Sequence, residues 1–133
     1  MQPILSKKEM TEEDIKLQYI TPAVTSKWSR GKITMETPIT DGQISLKGNL
    51  VFRKKPKKAD YILYLCANHP IAIIEAKDNT HSISHGLQQA MDYAKMLDLP
   101  FAFSSNGDGF AEHDLLPAQN VSFLWMSFPQ RLS

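Results

Sequence analysis

The apolar positions along this chain change their spacing several times, and each change marks an element. Thr11 precedes Glu12, Glu13 and Asp14, a hydroxyl cap followed by acids where a helix dipole favours them. Ile15, Leu17, Tyr19 and Ile20 continue that helix, and Thr21-Pro22 predicts that it stops or kinks there. Ile33 to Ile39 and Gln43 to Leu46 read as short strands turned at Asp41-Gly42. Asp60 to Cys66 and Ile71 to Lys77 predict two more strands, joined through Asn68-His69-Pro70. Ile83, Leu87, Ala90, Ala94 and Leu97 then recur at helical spacing, which predicts an amphipathic helix from about Ser84 to Leu97, ended by Pro100. Phe101 to Ser104 reads as a strand, Asn106-Gly107-Asp108-Gly109 as a turn and Val121 to Phe128 as a last strand. This order predicts an α/β (α+β) chain, with a central mixed sheet flanked by helices.

Composition narrows the class. The 133 residues fit a single domain over 1–133, large enough to bury about two thirds of the unfolded surface. Hydrophobic residues make up 42% and charged residues 22%, ordinary proportions for a globular protein. The one cysteine, Cys66, lies in an apolar run, so it is expected in the core and no internal disulfide can form. A reduced, cytoplasmic setting is the expectation. Met1 to Met10 contains two lysines without an apolar run, unlike a secretory leader, and no stretch approaches the ~20 apolar residues of a membrane span.

Charge changes the picture only locally. The net charge of +1 argues for no acidic partner, yet six basic residues and no acid fall between Lys47 and Lys58. They are Lys47, Arg53, Lys54, Lys55, Lys57 and Lys58. A solvated turn between strands accounts for them as simply as a ligand does.

Ile71 to Lys77 carries the chemistry. Side chains alternate along a strand, so Ile71, Ile73, Glu75 and Lys77 share one face. The run is apolar on both faces until Glu75, as in a central covered strand. An acid and an ammonium at the mouth of such a strand need partners. Asp60 opens the preceding strand, and in an antiparallel hairpin that start lies beside the end of the next strand. Two carboxylates meeting beside a lysine can hold a hard divalent cation, with the lysine orienting or deprotonating a water. An ordinary Glu75–Lys77 ion pair is the alternative.

At this point the chain resembles a known family. Asp60 followed by Glu75-Ala76-Lys77 is similar to the PD-(D/E)xK nuclease pattern, with Ala59 in place of its proline. Gln89 and Tyr93 supply a Gln-x-x-x-Tyr element. Glu12-Glu13-Asp14-Ile15-Lys16-Leu17 with Ile20-Thr21-Pro22-Ala23, the string Ile73 to Asp78, and Ser104 to Phe110 complete the likeness. Together, from about residue 10 to 115, they resemble the N-terminal nuclease domain of the R (motor) subunit of type I restriction endonucleases.

That resemblance implies a restriction-endonuclease-like fold and Mg²⁺-dependent hydrolysis of DNA phosphodiester bonds. It implies that Asp60, Glu75 and the Ala76 backbone carbonyl ligate the metal, and that Lys77 positions the attacking water. Gln89 and Tyr93 would support the site or the DNA backbone, and Glu13 would reach the same site from the first helix. It also implies phosphate contacts for Arg53, Lys54, Lys55, Lys57 and Lys58. Double-stranded DNA is the implied partner, with modification and specificity subunits for a full-length protein and no membrane. Complete R subunits continue into an ATP-driven motor, whereas this sequence has no G-x-x-x-x-G-K-[ST] loop and so no ATP site. An excised domain or a truncated form is therefore expected.

Two rival readings keep the fold. One is a catalytically silent DNA-binding or subunit-docking module, and the other a nuclease of the same superfamily with a structure-specific substrate. His81 and His85 are four apart without a second pair, so an exposed helix-entry pair is expected rather than a zinc site. No G-x-S-x-G elbow supports serine chemistry. The aromatic residues Phe123, Trp125 and Phe128 are expected to pack the last strand.

Overall fold

In the computed structural model, residues 4–40, 43–44 and 57–115 are described. Six strands form one sheet: β1 (Ile33–Thr40), β2 (Gln43–Ile44), β3 (Lys57–Cys66), β4 (His69–Ala76), β5 (Phe101–Ser105) and β6 (Phe110–Asp114). Their order across the sheet is β2-β1-β3-β4-β5-β6. Only β4 and β5 run parallel, and the helix α3 (Leu87–Leu97) lies in the connection between them. The predicted mixed sheet flanked by helices is the observed architecture.

The first helix is longer than expected, for a local reason. α1 (Glu12–Ile15) begins with a reciprocal cap, in which the Asp14 N–H donates to the Thr11 hydroxyl and the Thr11 N–H donates to the Asp14 carboxylate. The chain then widens into a π turn over Lys16–Ile20, where the Thr21 N–H reaches the Lys16 carbonyl. It continues as α2 (Thr21–Thr25). Pro22 therefore does not end the helix. It falls in the first turn of α2, where a missing N–H is tolerated, and the π turn supplies the break that proline demands.

Other boundaries differ in the same spirit. Asn68 has φ 62°, so a tight two-residue turn joins β3 to β4, and β4 already begins at His69. Leu65 and Cys66 end β3, with Cys66 paired to His69 beside the turn, and Cys66 is exposed rather than in the core. α3 starts at Leu87 rather than Ser84, because residues 78–86 close successive tight turns (His81 N–H to Asp78, His85 N–H to Ser82, Leu87 N–H to Ser84). The strand β6 follows the predicted Asn106–Gly109 turn and was not foreseen, since Phe110-Ala111-Glu112-His113-Asp114 lacks both β-branching and a clear alternation. The expected strand Val121 to Phe128, with Phe123 and Trp125, lies outside the described residues.

The sheet separates two apolar layers. On one face Ile15, Ile20, Val24 and Trp28 pack on Tyr61, Leu63, Ile74, Phe101 and Phe103. On the other, Ala90, Tyr93 and Ala94 of α3 pack on Ile62, Ile73 and Ala102. Ile73 and Ile74 are fully buried on opposite faces, so β4 is the central covered strand its apolar run implies. Each such side chain contributes about 1.5–3 kcal/mol by leaving water. Among the described residues no helix is long and apolar enough to cross a membrane.

Gly107 ties the β5–β6 turn to the first helix. Its φ is 93°, and a β-carbon there would stand 3.0 Å from Ile15 Cγ2. Gly107→Ala therefore combines left-handed backbone strain with a clash, and should lower unfolding free energy by about 1–3 kcal/mol. Urea denaturation checks this; an unchanged midpoint contradicts it.

Candidate active site

The β3–β4 register places Tyr61 opposite Ile74 and Ile62 opposite Ile73. Continuing it by one residue brings Asp60 beside Glu75, at the end of the sheet where β3 begins and β4 ends. Asp60 Oδ2 accepts a 2.8 Å hydrogen bond from the Ala76 N–H, which fixes the carboxyl across the strand pair. The Glu75 carboxyl hydrogen-bonds to Asp60. Glu75 is only 3% exposed, and its Oε1 is buried without a partner. The two acids that the sequence pairs are thus brought together.

Lys77 shares the same corner. It leaves β4 with its N–H bonded to the Ser105 carbonyl, 2.9 Å away, and its side chain is half-buried. Gly86, just before α3, lets the helix start lie directly on this end of the sheet. A β-carbon at Gly86 would meet Ser104 Oγ at 3.1 Å, Glu75 Cβ at 3.4 Å and Lys77 Cε at 3.5 Å. Ser104 pins the approach, because its hydroxyl donates to the Ile83 carbonyl and accepts from the Gly86 N–H. Glu75 and Lys77 therefore flank one small space between β4 and the start of α3.

A third group arrives from the opposite layer. Lys16, on the π turn, is 2% exposed, and its Nζ stands 2.9 Å from Asp60 Oδ1. It also meets Glu13 and Glu36, each at 3.0 Å, and more distantly Glu12 at 3.9 Å. Burial opposes its charge, but the Asp60 bond and charge, then Glu13 and Glu36, outweigh that and hold it firmly protonated. Glu36 occupies β1 with φ 52°, a left-handed conformation that a non-glycine residue adopts only under constraint.

The titration of the acids follows from these contacts. Burial would raise Asp60, but the hydrogen bond from Glu75, the Ala76 N–H and Lys16 together hold it below the usual aspartate range. Glu75 moves the other way. Burial, then the hydrogen bond and negative charge of Asp60, push it up to about 10. The opposite shifts favour one proton and one negative charge on the pair at neutral pH.

The remaining expected residues divide. Gln89 Nε2 donates to the Tyr93 hydroxyl at 3.0 Å, so these two bond to each other along α3. Tyr93 is buried in the α3 layer while Gln89 is exposed. Glu13 is 71% exposed and reaches Asp60 only through Lys16. Lys57 and Lys58 are exposed at the start of β3, leading to Asp60, and Lys57 Nζ lies 6.0 Å from the Tyr93 ring centre. Arg53, Lys54 and Lys55 lie outside the described residues. His81 and His85 are exposed and stacked at 4.2 Å. Lys16 was not anticipated as a site residue. Its signal was present, since Lys16, Ile20 and Val24 are spaced by four and the latter two are buried, which marks position 16 as inward-facing.

The donor set suits a hard cation. Among the described residues no three His, Cys, Asp or Glu side chains stand together as a cage. Two touching carboxylates, one with a buried oxygen lacking any partner, nevertheless fit a divalent ion that completes its shell from water or substrate.

Comparison with known proteins points one way. The model of the family described as the second domain of the type I restriction enzyme EcoKI endonuclease subunit matches residues 48–99. The chain is similar to the type I restriction enzyme EcoAI endonuclease subunit of Escherichia coli, 38% identical over 117 residues. That match covers 86% of this chain and 14% of the relative, so the chain spans a small part of the relative's length. It is also similar to a solved fragment described as an HsdR subunit of a type I restriction enzyme from Vibrio vulnificus YJ016. There the TM-score is 0.68 at 38% identity, covering 80% of this chain and 21% of that one.

The elevated Glu75 makes a testable stability statement. Its folded pKa exceeds the unfolded value, so the native state binds the extra proton between the ordinary glutamate range and about 10. Stability of the metal-free protein should therefore fall as pH rises through that window, by up to about 1.4 kcal/mol per pH unit. Asp60 acts oppositely, and its contribution is lost only on acidification below the usual aspartate range. Glu75→Gln keeps a donor toward Asp60 and removes the titration. Thermal unfolding from pH 6 to 9 should show a falling midpoint for the parent and a flatter one for Glu75→Gln; parallel curves contradict the assignment.

Proposed function

This chain belongs to the family of type I restriction endonuclease subunits, and from that premise we propose that it is the DNA-cleaving domain of such a subunit. The observation that carries this reading is the meeting of Asp60 and Glu75, with a buried unpartnered oxygen on Glu75 and Lys77 beside it. The reaction is hydrolysis of a phosphodiester bond in double-stranded DNA, without sequence preference of its own.

Asp60 and Glu75 would hold a divalent cation, Mg²⁺ in this reading, with the Ala76 carbonyl as a further oxygen donor. Such an ion, when bound, polarises the phosphoryl group and eases deprotonation of a water. The chain's own residues do the rest. Glu75 would release its proton to solvent as the ion is taken up, and Asp60 keeps its carboxyl fixed by the Ala76 N–H. Lys77 orients the attacking water and offsets negative charge building on the phosphate. Tyr93, braced by Gln89, holds the α3 side of the site, and Glu13 acts on Asp60 through Lys16.

Lys57 and Lys58 lead into Asp60 from the exposed start of β3 and suit the DNA backbone; Arg53, Lys54 and Lys55 are assigned the same role from the sequence. Modification and specificity subunits are the partners proposed for the full-length protein, in a cytoplasmic setting. ATP-driven translocation belongs to the rest of such a protein.

Supercoiled plasmid incubated with the chain and Mg²⁺ or Mn²⁺ tests the proposal. Nicking is expected, reduced at least about a hundredfold by Glu75→Ala or Lys77→Ala. Activity equal to those variants contradicts the enzymatic reading and leaves the silent DNA-binding module. In the same protein, replacing Lys57 and Lys58 with alanine should weaken duplex binding and reduce the slope of log affinity against log salt by about one to two. An unchanged slope, measured by fluorescence anisotropy across a salt series, removes these lysines from the DNA path.

A further inference from the structure

A lysine that is almost wholly buried is costly unless its donors are satisfied, and a methionine or leucine at position 16 would simply extend the Ile20 and Val24 stripe. Lys16 is instead surrounded by acids from three elements. Its ammonium has three N–H donors, and three carboxylates stand within 3.0 Å: Glu13 from its own helix, Glu36 from β1 and Asp60 from β3. Two donors are hydrogen-bonded to Glu13 and Glu36, and the ammonium forms an ion pair with Asp60. Lys16 is thus held among its own acids, unlike Lys77, half-buried at the edge of the same site.

The geometry at Asp60 shows what this arrangement accomplishes. Oδ1 is taken by Lys16 at 2.9 Å and Oδ2 by the Ala76 N–H at 2.8 Å, so both oxygens are clamped from different directions and the plane of the carboxyl is fixed. In that fixed plane Asp60 meets Glu75. The backbone at Glu36 supports the same conclusion. A φ of 52° is strained for a non-glycine residue and persists only where the surroundings demand it; here it accompanies a carboxylate held against Lys16.

We propose that Lys16 is a positioning residue of the nuclease site: triangulated by Glu13 and Glu36, its ammonium holds the Asp60 carboxylate facing Glu75, so the two-acid site is organised before ion or DNA arrives. This rests on reading Asp60 and Glu75 as the ion-holding pair.

The test uses two variants and two readouts. Lys16→Met removes the clamp, and Glu36→Gln, at a half-exposed position, only loosens it and should fold normally. The first readout needs no metal: amide hydrogen exchange at Ala76, whose N–H depends on Asp60, compared with the buried core residues Ile73 and Ala102. Lys16→Met should accelerate exchange at Ala76 about tenfold or more beyond any change at Ile73 and Ala102. Glu36→Gln should do so by about threefold. The second readout is Mn²⁺ binding by calorimetry, expected to weaken about tenfold in Lys16→Met. Exchange at Ala76 that merely follows Ile73 and Ala102 in both variants overturns the proposal and leaves Lys16 a packing residue. If the parent chain binds no Mn²⁺ while Ala76 responds as expected, the ion-holding reading fails and the positioning of Asp60 by Lys16 stands.

Discussion

Two carboxylates cannot touch inside a protein while both are charged, and most of what is distinctive here answers that constraint. Asp60 and Glu75 meet because β3 and β4 are antiparallel neighbours whose register brings a strand start beside a strand end. The protein resolves the conflict twice over. Glu75 keeps a proton, driven there by burial and by Asp60, and the charge remaining on Asp60 is opposed by Lys16 and the Ala76 N–H. The result is a site one proton away from holding two adjacent anionic ligands. In the proposed reading a divalent cation would supply what that proton supplies now, with more charge.

The layers of the fold each send one group to this corner. β4 carries Glu75 and then Lys77, with its apolar run fixing their position along the sheet. The α3 side contributes a close approach at Gly86, where a β-carbon would press on Ser104 Oγ and come into contact with Glu75 and Lys77. The opposite layer contributes Lys16 from a π turn, a rare geometry often found at functional sites.

Much of this was legible in the sequence, and what was not has physical reasons. Alternation along Ile71 to Lys77 and the short hairpin after Cys66 were sufficient to pair Asp60 with Glu75. The spacing of Ile83 to Leu97 located α3, although the serine- and histidine-rich turns before it displaced its start to Leu87. Thr21-Pro22 was read as a stop or kink; the helix does not stop there, and its irregularity is the π turn over Lys16–Ile20, which proline rules for regular α-helix do not describe. Cys66 looked like core because its neighbours are apolar, yet at the turn end of the β3–β4 hairpin residues 65–69 are exposed. β6 was missed because a five-residue edge strand has too little pattern. Lys16 was passed over because a lysine among glutamates reads as a surface helix. Its burial depends on Asp60 and Glu36, which are 44 and 20 residues away in sequence and meet it only through the sheet.

The central claim is that one proton stands at the Asp60–Glu75 pair where a divalent cation can replace it. The most direct measurement is a calorimetric titration of Mn²⁺ into the metal-free chain at pH 7, repeated in buffers of different ionisation enthalpy to count protons. Binding with release of about one proton, absent in Glu75→Gln, is the predicted result. Binding without proton release, or no binding at all, contradicts it.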